Sequence, residues 1–189
     1  ISVSSNPING AVCSGSTITL SGNGAASYTW TGGVTNGTAF SPTSPLTYTV
    51  TGTDANGCTN TATTFVTVNS LPTVTVNSPS TCSGIATTLI ASGASSYAWS
   101  NSATGASISV SPTSNSSYTV TGTDVNGCVN TAISNVTITS APNVTVNSQT
   151  ICAGQSAILI GDGATSFSWN TGDATATIAV NPTGTTSYT

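Results

Sequence analysis

The chain has 189 residues, no Lys, Arg or His, and four acidic residues, all Asp, which give a formal net charge of −4. Without cationic side chains the protein cannot neutralise phosphates, so we expect neither nucleic acid nor an anionic membrane surface as a partner. General acid–base and phosphoryl-transfer chemistry also lacks its usual residues. The composition therefore argues against an enzyme and suggests no cofactor.

The polar composition, rich in Ser and Thr, still favours a folded protein. Hydrophobic residues make up 37% of the chain, and Val alternates with Thr over many short stretches, which is typical of β-strands with one buried face. No stretch approaches the roughly 18 consecutive apolar residues of a membrane span. We therefore expect a β protein that does not insert into a membrane.

The sequence repeats itself at a regular interval. Two sets recur at steps of 69 and 70, namely Trp30, Trp99 and Trp169, and Cys13, Cys82 and Cys152. The stretch 47–62 returns almost unchanged as 117–132, which places Cys58 and Cys128 at the same position of successive repeats. The repetition predicts three units, residues 1–72, 73–142 and 143–189. The third unit lacks the last two strands, so the array was cut there or another molecule supplies them.

Seven strands are predicted in the second unit, in chain order. They are 73–77, 87–92, 96–100, a weak strand near Thr104, 106–110, 117–124 and 131–139. In every predicted strand except the weak one near Thr104, alternation places Val, Leu, Ile, Tyr or Trp on one side and Thr or Ser on the other. The Asn126–Gly127 pair is typical of a tight hairpin turn between the last two strands.

Seven short strands with a Trp on the third predict an all-β fold of tandem immunoglobulin-like β-sandwiches. The aromatic side chains in phase with the inward positions form the expected core, namely Trp30, Trp99, Trp169, Tyr48 and Tyr118, with Tyr188 as a core or corner tyrosine. A sandwich of about 70 residues has a thin core, so a covalent cross-link would help to stabilise it.

The combined pattern PxVTVN, C[SA]G, YxW, SPTS and YTVTGTDxNGC resembles the Ig-like (PKD-like) tandem repeats of large secreted surface proteins of Bacteroidetes, among them adhesins and gliding-type proteins. The resemblance covers the whole chain. It implies export to the cell surface and a role as an adhesin, a stalk or an extracellular appendage.

The five cysteines, Cys13, Cys58, Cys82, Cys128 and Cys152, are candidates for structural disulfides, because an exported protein normally oxidises its thiols. Pairing within a unit would join Cys13 to Cys58 and Cys82 to Cys128. The first Cys of each unit, however, is expected in the turn before the second strand, at the opposite end of the sandwich from the Asn–Gly hairpin. If units stack head to tail, Cys13 would instead meet Cys128. We hypothesise this link between units, and pairing within the unit stays open.

The four carboxylates suggest no catalytic or metal site. Asp54 and Asp124 begin D-x-N-G segments that resemble the start of a calcium loop, but the later ligands are missing and a turn explains both residues. Asp162 and Asp173 could form a hydrolytic pair, but we expect both in surface turns.

Two binding alternatives remain open. Exposed aromatic residues, such as Phe40 in a loop, could stack on surface glycans, as in a carbohydrate-binding module attached to a secreted enzyme. Rows of outward Thr could match an ice lattice, although the twist of sandwich strands argues against this. The sequence favours copies of the chain or neighbouring repeats as partners, because low charge promotes self-association.

Overall fold

The computed structural model describes residues 1–189 and contains 17 strands, one short 3-10 helix (Thr31–Gly33) and no α-helix. The first seven strands are β1 (Ser2–Asn6), β2 (Ala11–Cys13), β3 (Ile18–Asn23), β4 (Ser27–Trp30), β5 (Ala39–Phe40), β6 (Leu46–Thr53) and β7 (Thr59–Asn69). They form a three-stranded sheet, β1-β3-β5, and a four-stranded sheet, β2-β7-β6-β4. We call this pair of sheets the first sandwich.

The next seven strands repeat the arrangement. They are β8 (Thr75–Val76), β9 (Ser80–Cys82), β10 (Thr87–Ser92), β11 (Ser96–Trp99), β12 (Ser107–Val110), β13 (Ser116–Thr123) and β14 (Val129–Thr139). They form the sheets β12-β10-β8 and β11-β13-β14-β9, which we call the second sandwich. All pairings are antiparallel except those of β2 with β7 and of β9 with β14, which are parallel.

The remaining strands, β15 (Thr145–Val146), β16 (Ala157–Asp162) and β17 (Thr177–Val180), form one three-stranded sheet with β16 in the centre. We call it the third sheet. Its central strand buries every second residue, Ala157, Leu159 and Gly161. No second sheet covers this face, so the third group of strands differs from the two sandwiches before it.

Each sandwich has its core between its two sheets. In the second sandwich the core joins Leu89 and Ile108 of one sheet to Trp99, Val120 and Val136 of the other. The side chains facing away from this core are mainly Thr, Ser and Asn, because alternate residues of a strand point to opposite faces. The alternation of Val with Thr in the sequence therefore translates directly into a two-layer β structure.

Most of the strands predicted for the second unit are present, with three differences. The stretch 73–77 forms only the two-residue β8, and Thr104 makes an isolated bridge to Ala98 instead of a strand. The sequence did not predict β9, nor its counterpart β2, because a strand of three residues is too short for alternation to be recognised. The sequence analysis placed Cys13 and Cys82 in turns. In the structure, each is instead the last residue of a short strand.

Two glycines allow the stability cost of an unfavourable backbone conformation to be compared with the cost of a steric clash. Gly93 and Gly105 have φ of +93° and +100°, but only at Gly93 would a Cβ collide with a neighbour, the backbone carbonyl of Thr73. We expect Gly105→Ala to cost about 1–2 kcal/mol for the backbone conformation, and Gly93→Ala roughly twice that because Thr73 must move. Urea denaturation of both variants tests this. Equal losses would show that the Thr73 contact is not limiting.

Candidate functional site

A disulfide joins the two sandwiches. Cys13 is the last residue of β2 and lies opposite Asn69 of β7. It bonds to Cys128, 115 residues further on, with 5.6 Å between the two Cα atoms. Cys128 belongs to the turn between β13 and β14 and is fully buried. Of the two pairings considered from the sequence, the structure contains the one between units, and Cys82 does not pair with Cys128.

The turn that carries Cys128 is organised by Asp124. Its Oδ1 atom accepts hydrogen bonds from the backbone N–H groups of Asn126 (2.8 Å) and Cys128 (2.8 Å). The backbone N–H of Asp124 donates to the carbonyl of Cys128 at 2.9 Å. Gly127 has a φ of +80°, which favours glycine at this position. These bonds fix the direction in which the Cys128 side chain leaves the sandwich.

We expect Asp124→Ala to destabilise the second sandwich by about 1–2 kcal/mol, because two backbone donors lose their acceptor. Asp124→Asn should cost less, since the amide oxygen can accept the same bonds. Chemical denaturation of the oxidised protein measures both. If the two variants lose equal stability, the negative charge, and not the oxygen acceptor, stabilises the turn.

The first sandwich has the same turn without a bonded partner. Asp54 Oδ1 accepts from the N–H groups of Asn56 (2.8 Å) and Cys58 (2.9 Å), and Gly57 has a φ of +84°. Here, however, the cysteine is a free, exposed thiol. Cys82 and Cys152 are also free and exposed, so three of the five candidate cysteines do not form disulfides in this structure.

The carboxylates have local structural contacts. Asp162 accepts a hydrogen bond from the N–H of Gly163, and Asp173 accepts one from the hydroxyl of Thr171. No three His, Cys, Asp or Glu side chains are grouped as they would be around a metal ion. Asp54 and Asp124 use a carboxylate oxygen to hold their own turns, as the turn interpretation expects.

The three tryptophans each donate their indole N–H to an acceptor six residues ahead. Trp99 and Trp169 are 4% and 5% exposed and donate to the carbonyls of Gly105 and Thr175. Trp30 is half-buried and donates to Asn36 Oδ1 at 3.0 Å. Trp99 and Trp169 are therefore core residues with no open face for a sugar, and Trp30 is partly covered by the core of the first sandwich.

The tyrosines divide into two groups. Tyr48 is buried, and Tyr118 and Tyr188 are half-buried against their cores. The corner tyrosines are others, Tyr28 and Tyr97. The Tyr97 hydroxyl donates to the carbonyl of Ala94 and accepts from its N–H, and Tyr28 does the same with Ala25. The Ser-Tyr pair that begins β4 and β11 was the available signal, because a Tyr hydroxyl three residues after a turn residue can reach back to its backbone.

Phe40 does not lie in a loop, as the glycan alternative assumed. It is in β5, half-buried, with its ring edge-on to that of Tyr48 at a centroid distance of 5.3 Å. The exposed aromatic side chain is Phe65, on β7, with 58% of its surface accessible. Any aromatic stacking surface would therefore centre on Phe65.

The open face of the third sheet forms a cleft of about 600 Å³. Apolar side chains of the sheet and of the segments that flank it line the cleft, among them Leu159, Val180, Ile151 and Tyr188. The backbone N–H of Asn170 donates to the carbonyl of Thr189 at 2.7 Å, so the last residues lie beside the segment that follows Trp169. The cleft and the disulfide are the two features of the molecule that suggest contact with another unit.

The strand pairing and the two-layer cores define the class of the fold, an all-β protein with Ig-like β-sandwiches. The three-residue 3-10 helix Thr31–Gly33 is far too short to span a bilayer, and the structure contains no other helix. No known family model matches the sequence, and no curated protein matches it.

Several solved structures resemble the chain at a distance. One is a Ca²⁺-stabilised adhesin with which an Antarctic bacterium binds ice, with 17% identity, a TM-score of 0.37 and coverage of 96% of this chain and 63% of the adhesin. Another is the N-terminal eight Ig domains of Down syndrome cell adhesion molecule, with 8% identity, a TM-score of 0.30 and coverage of 78% and 29%. A third is a 1.5-MDa bacterial ice-binding adhesin, with 15% identity, a TM-score of 0.32 and coverage of 95% and 83%. The chain thus spans less than two thirds of the first two structures.

Proposed function

We propose that the chain is a non-enzymatic extracellular segment of a bacterial surface protein, in which tandem Ig-like repeats act as a stiff structural and adhesive spacer. The observation that carries the proposal is the disulfide from Cys13 of the first sandwich to Cys128 of the second. A covalent joint between neighbouring sandwiches restricts their relative movement. Such a joint suits a protein that holds a binding partner away from a cell.

The disulfide also supports an extracellular location, because oxidising conditions are found mainly outside the cytoplasm. The near absence of charge supports the spacer role in a different way. With four carboxylates and no cationic side chains, contacts between copies depend little on salt. The resemblance to secreted Bacteroidetes repeats supports the same location and leaves two architectures, a single-chain stalk and a self-assembling filament.

Immunogold labelling of intact source cells tests the proposal. Antibodies raised against the protein should label structures that extend from the surface of unpermeabilised cells, and brief external proteolysis should remove the label. Antibodies against a cytoplasmic protein provide the control. Labelling that appears only after permeabilisation would overturn the proposal.

A carbohydrate-binding module is the second candidate, and the exposed ring of Phe65 favours it. A glycan array tests this candidate with wild type and Phe65→Ala. The matched control is Ile133→Ala, another exposed apolar residue on a last strand, with 60% of its surface accessible. Binding that falls about ten-fold or more only in Phe65→Ala, as expected for loss of about 1–2 kcal/mol of stacking, would support this function. Equal signals for all three proteins would exclude stacking on Phe65.

A further inference from the structure

Five asparagines of the chain are followed directly by glycine, namely Asn9, Asn23, Asn36, Asn56 and Asn126. An Asn–Gly pair is chemically special, because glycine has no Cβ to hinder attack of its backbone nitrogen on the asparagine side chain. The structure divides the five into two groups. Hydrogen bonds hold the side-chain amides of Asn9, Asn23 and Asn36. The amides of the other two make no hydrogen bond within the chain.

Asn36 is the most firmly held of the five. Its Oδ1 atom accepts from the backbone N–H of Gly22 at 2.6 Å and from the indole N–H of Trp30 at 3.0 Å. The next nitrogen is also engaged, because the N–H of Gly37 donates to the carbonyl of Leu20 at 2.9 Å. Attack of this nitrogen on the Asn36 amide would require all three bonds to break, at a cost in free energy.

Asn126 has the opposite environment. Asp124 Oδ1 accepts from the backbone N–H of Asn126 at 2.8 Å, so the carboxylate holds the main chain of the turn and leaves the exposed amide in solvent. The preceding side chain, Val125, is 87% exposed and does not cover it. The N–H of Gly127 donates to the carbonyl of Asp124 at 3.2 Å, the long end of the normal range. One long hydrogen bond therefore has to open. Asn56 lies in the equivalent turn of the first sandwich.

We infer that Asn126, together with its equivalent Asn56, is a site of spontaneous deamidation in the folded protein, with water as the co-reactant. The Gly127 nitrogen loses its proton to solvent and attacks Cγ of Asn126. A new N–C bond forms, the Cγ–Nδ2 bond breaks, and the amide group takes a proton from solvent and leaves as ammonia. Water then opens the resulting five-membered succinimide at either carbonyl, which gives aspartate or isoaspartate. No oxidant or reductant is needed.

The product matters because charge is scarce in this chain. Reaction at both asparagines adds two carboxylates to the four present. One of them lies two residues from Cys128, in the turn that carries the disulfide between the sandwiches. Contacts between copies should therefore become weaker and more sensitive to salt as the protein ages. This modification goes beyond the spacer role proposed above and does not rely on it.

Ageing of the intact, oxidised protein in a mildly alkaline buffer tests the inference. Chymotrypsin provides the peptides, because the chain has no Lys or Arg for trypsin. Mass spectrometry follows the conversion of amide to acid at each Asn–Gly pair, and electron-transfer fragmentation identifies isoaspartate. We expect Asn126 and Asn56 to react at least about ten-fold faster than Asn36, because the hydrogen bonds of Asn36 must break first.

Two controls separate the effect of the structure from that of the local sequence. In the reduced chain unfolded by guanidinium, all five pairs should react at similar rates, because each is followed by Gly. In the folded Asn126→Gln variant, position 126 should stay neutral, since Gln must close a larger ring, while Asn56 keeps its rate.

Equal rates for Asn36 and Asn126 in the folded protein would overturn the inference. So would a folded Asn126 that does not react, or a difference between the two that persists in the unfolded chain. None of these results affects the surface-labelling test of the proposed function, so the two failures can be told apart.

Discussion

Replacing Leu89 with Ala should destabilise the second sandwich by about 3–5 kcal/mol, the range for a fully buried leucine whose cavity cannot collapse. Leu89 has no accessible surface and lies in the core between the two sheets. A domain of this size has a total stability of only about 4–10 kcal/mol. The substitution should therefore leave a substantial fraction of the second sandwich unfolded near physiological temperature.

The adjacent residue provides a matched control. Ile90 follows Leu89 on β10 but points to the other face, with 56% of its surface accessible. Ile90→Ala removes a side chain of the same size and should cost less than about 1 kcal/mol. Urea denaturation followed by tryptophan fluorescence compares the two variants. Similar losses would mean that the sandwich does not bury the side that the alternation predicts.

The same substitution in the third sheet should have a smaller effect. Leu159 occupies the position equivalent to Leu89, but it borders the cleft instead of a second sheet. Without neighbours on one side, the deletion creates less enclosed volume, so we expect Leu159→Ala to cost about half as much as Leu89→Ala. The difference comes from the second sheet, which covers Leu89 but not Leu159, because the strand position and the residue type are the same.

Alternation was sufficient to predict the longer strands, because a run such as TYTVTGT fixes both the strand and its buried side. The short strands β2 and β9 were not predicted because each has only three residues. They are defined by parallel pairing with β7 and β14, a long-range contact that no local pattern records. The position of Cys13 at the end of a strand, and not in a turn, follows from this pairing.

The candidate site was less accessible from the sequence. End-to-end stacking suggested that Cys13 could meet Cys128, but the spacing of cysteines cannot choose between two connectivities. That choice depends on how neighbouring units are oriented. Phe40 and Phe65 show a related problem. Both lie on strands, so the sequence pattern does not predict which ring is exposed. Phe40 packs against Tyr48, and Phe65 is the ring that stays accessible to a ligand.

Stretching the protein between Ile1 and Thr189 should show the largest effect of the disulfide. While the bond is intact, force passes from Cys13 directly to Cys128, and the chain between them carries no load. That segment spans 115 residues, or about 400 Å when extended at about 3.5 Å per residue. The fully stretched oxidised chain should therefore be about 400 Å shorter than the Cys13→Ser/Cys128→Ser double variant.

Single-molecule force spectroscopy measures this difference as a change in contour length, and wild type in a reducing agent should match the double variant. The control is Cys58→Ser/Cys82→Ser, which alters two exposed free thiols and should behave as oxidised wild type. Most of both sandwiches lies between the bonded cysteines and is shielded from the force, whereas β1, β2 and β14 stay in the load path and can be pulled out. If oxidised and reduced chains reach the same length, the joint carries no load and the spacer role loses its main support.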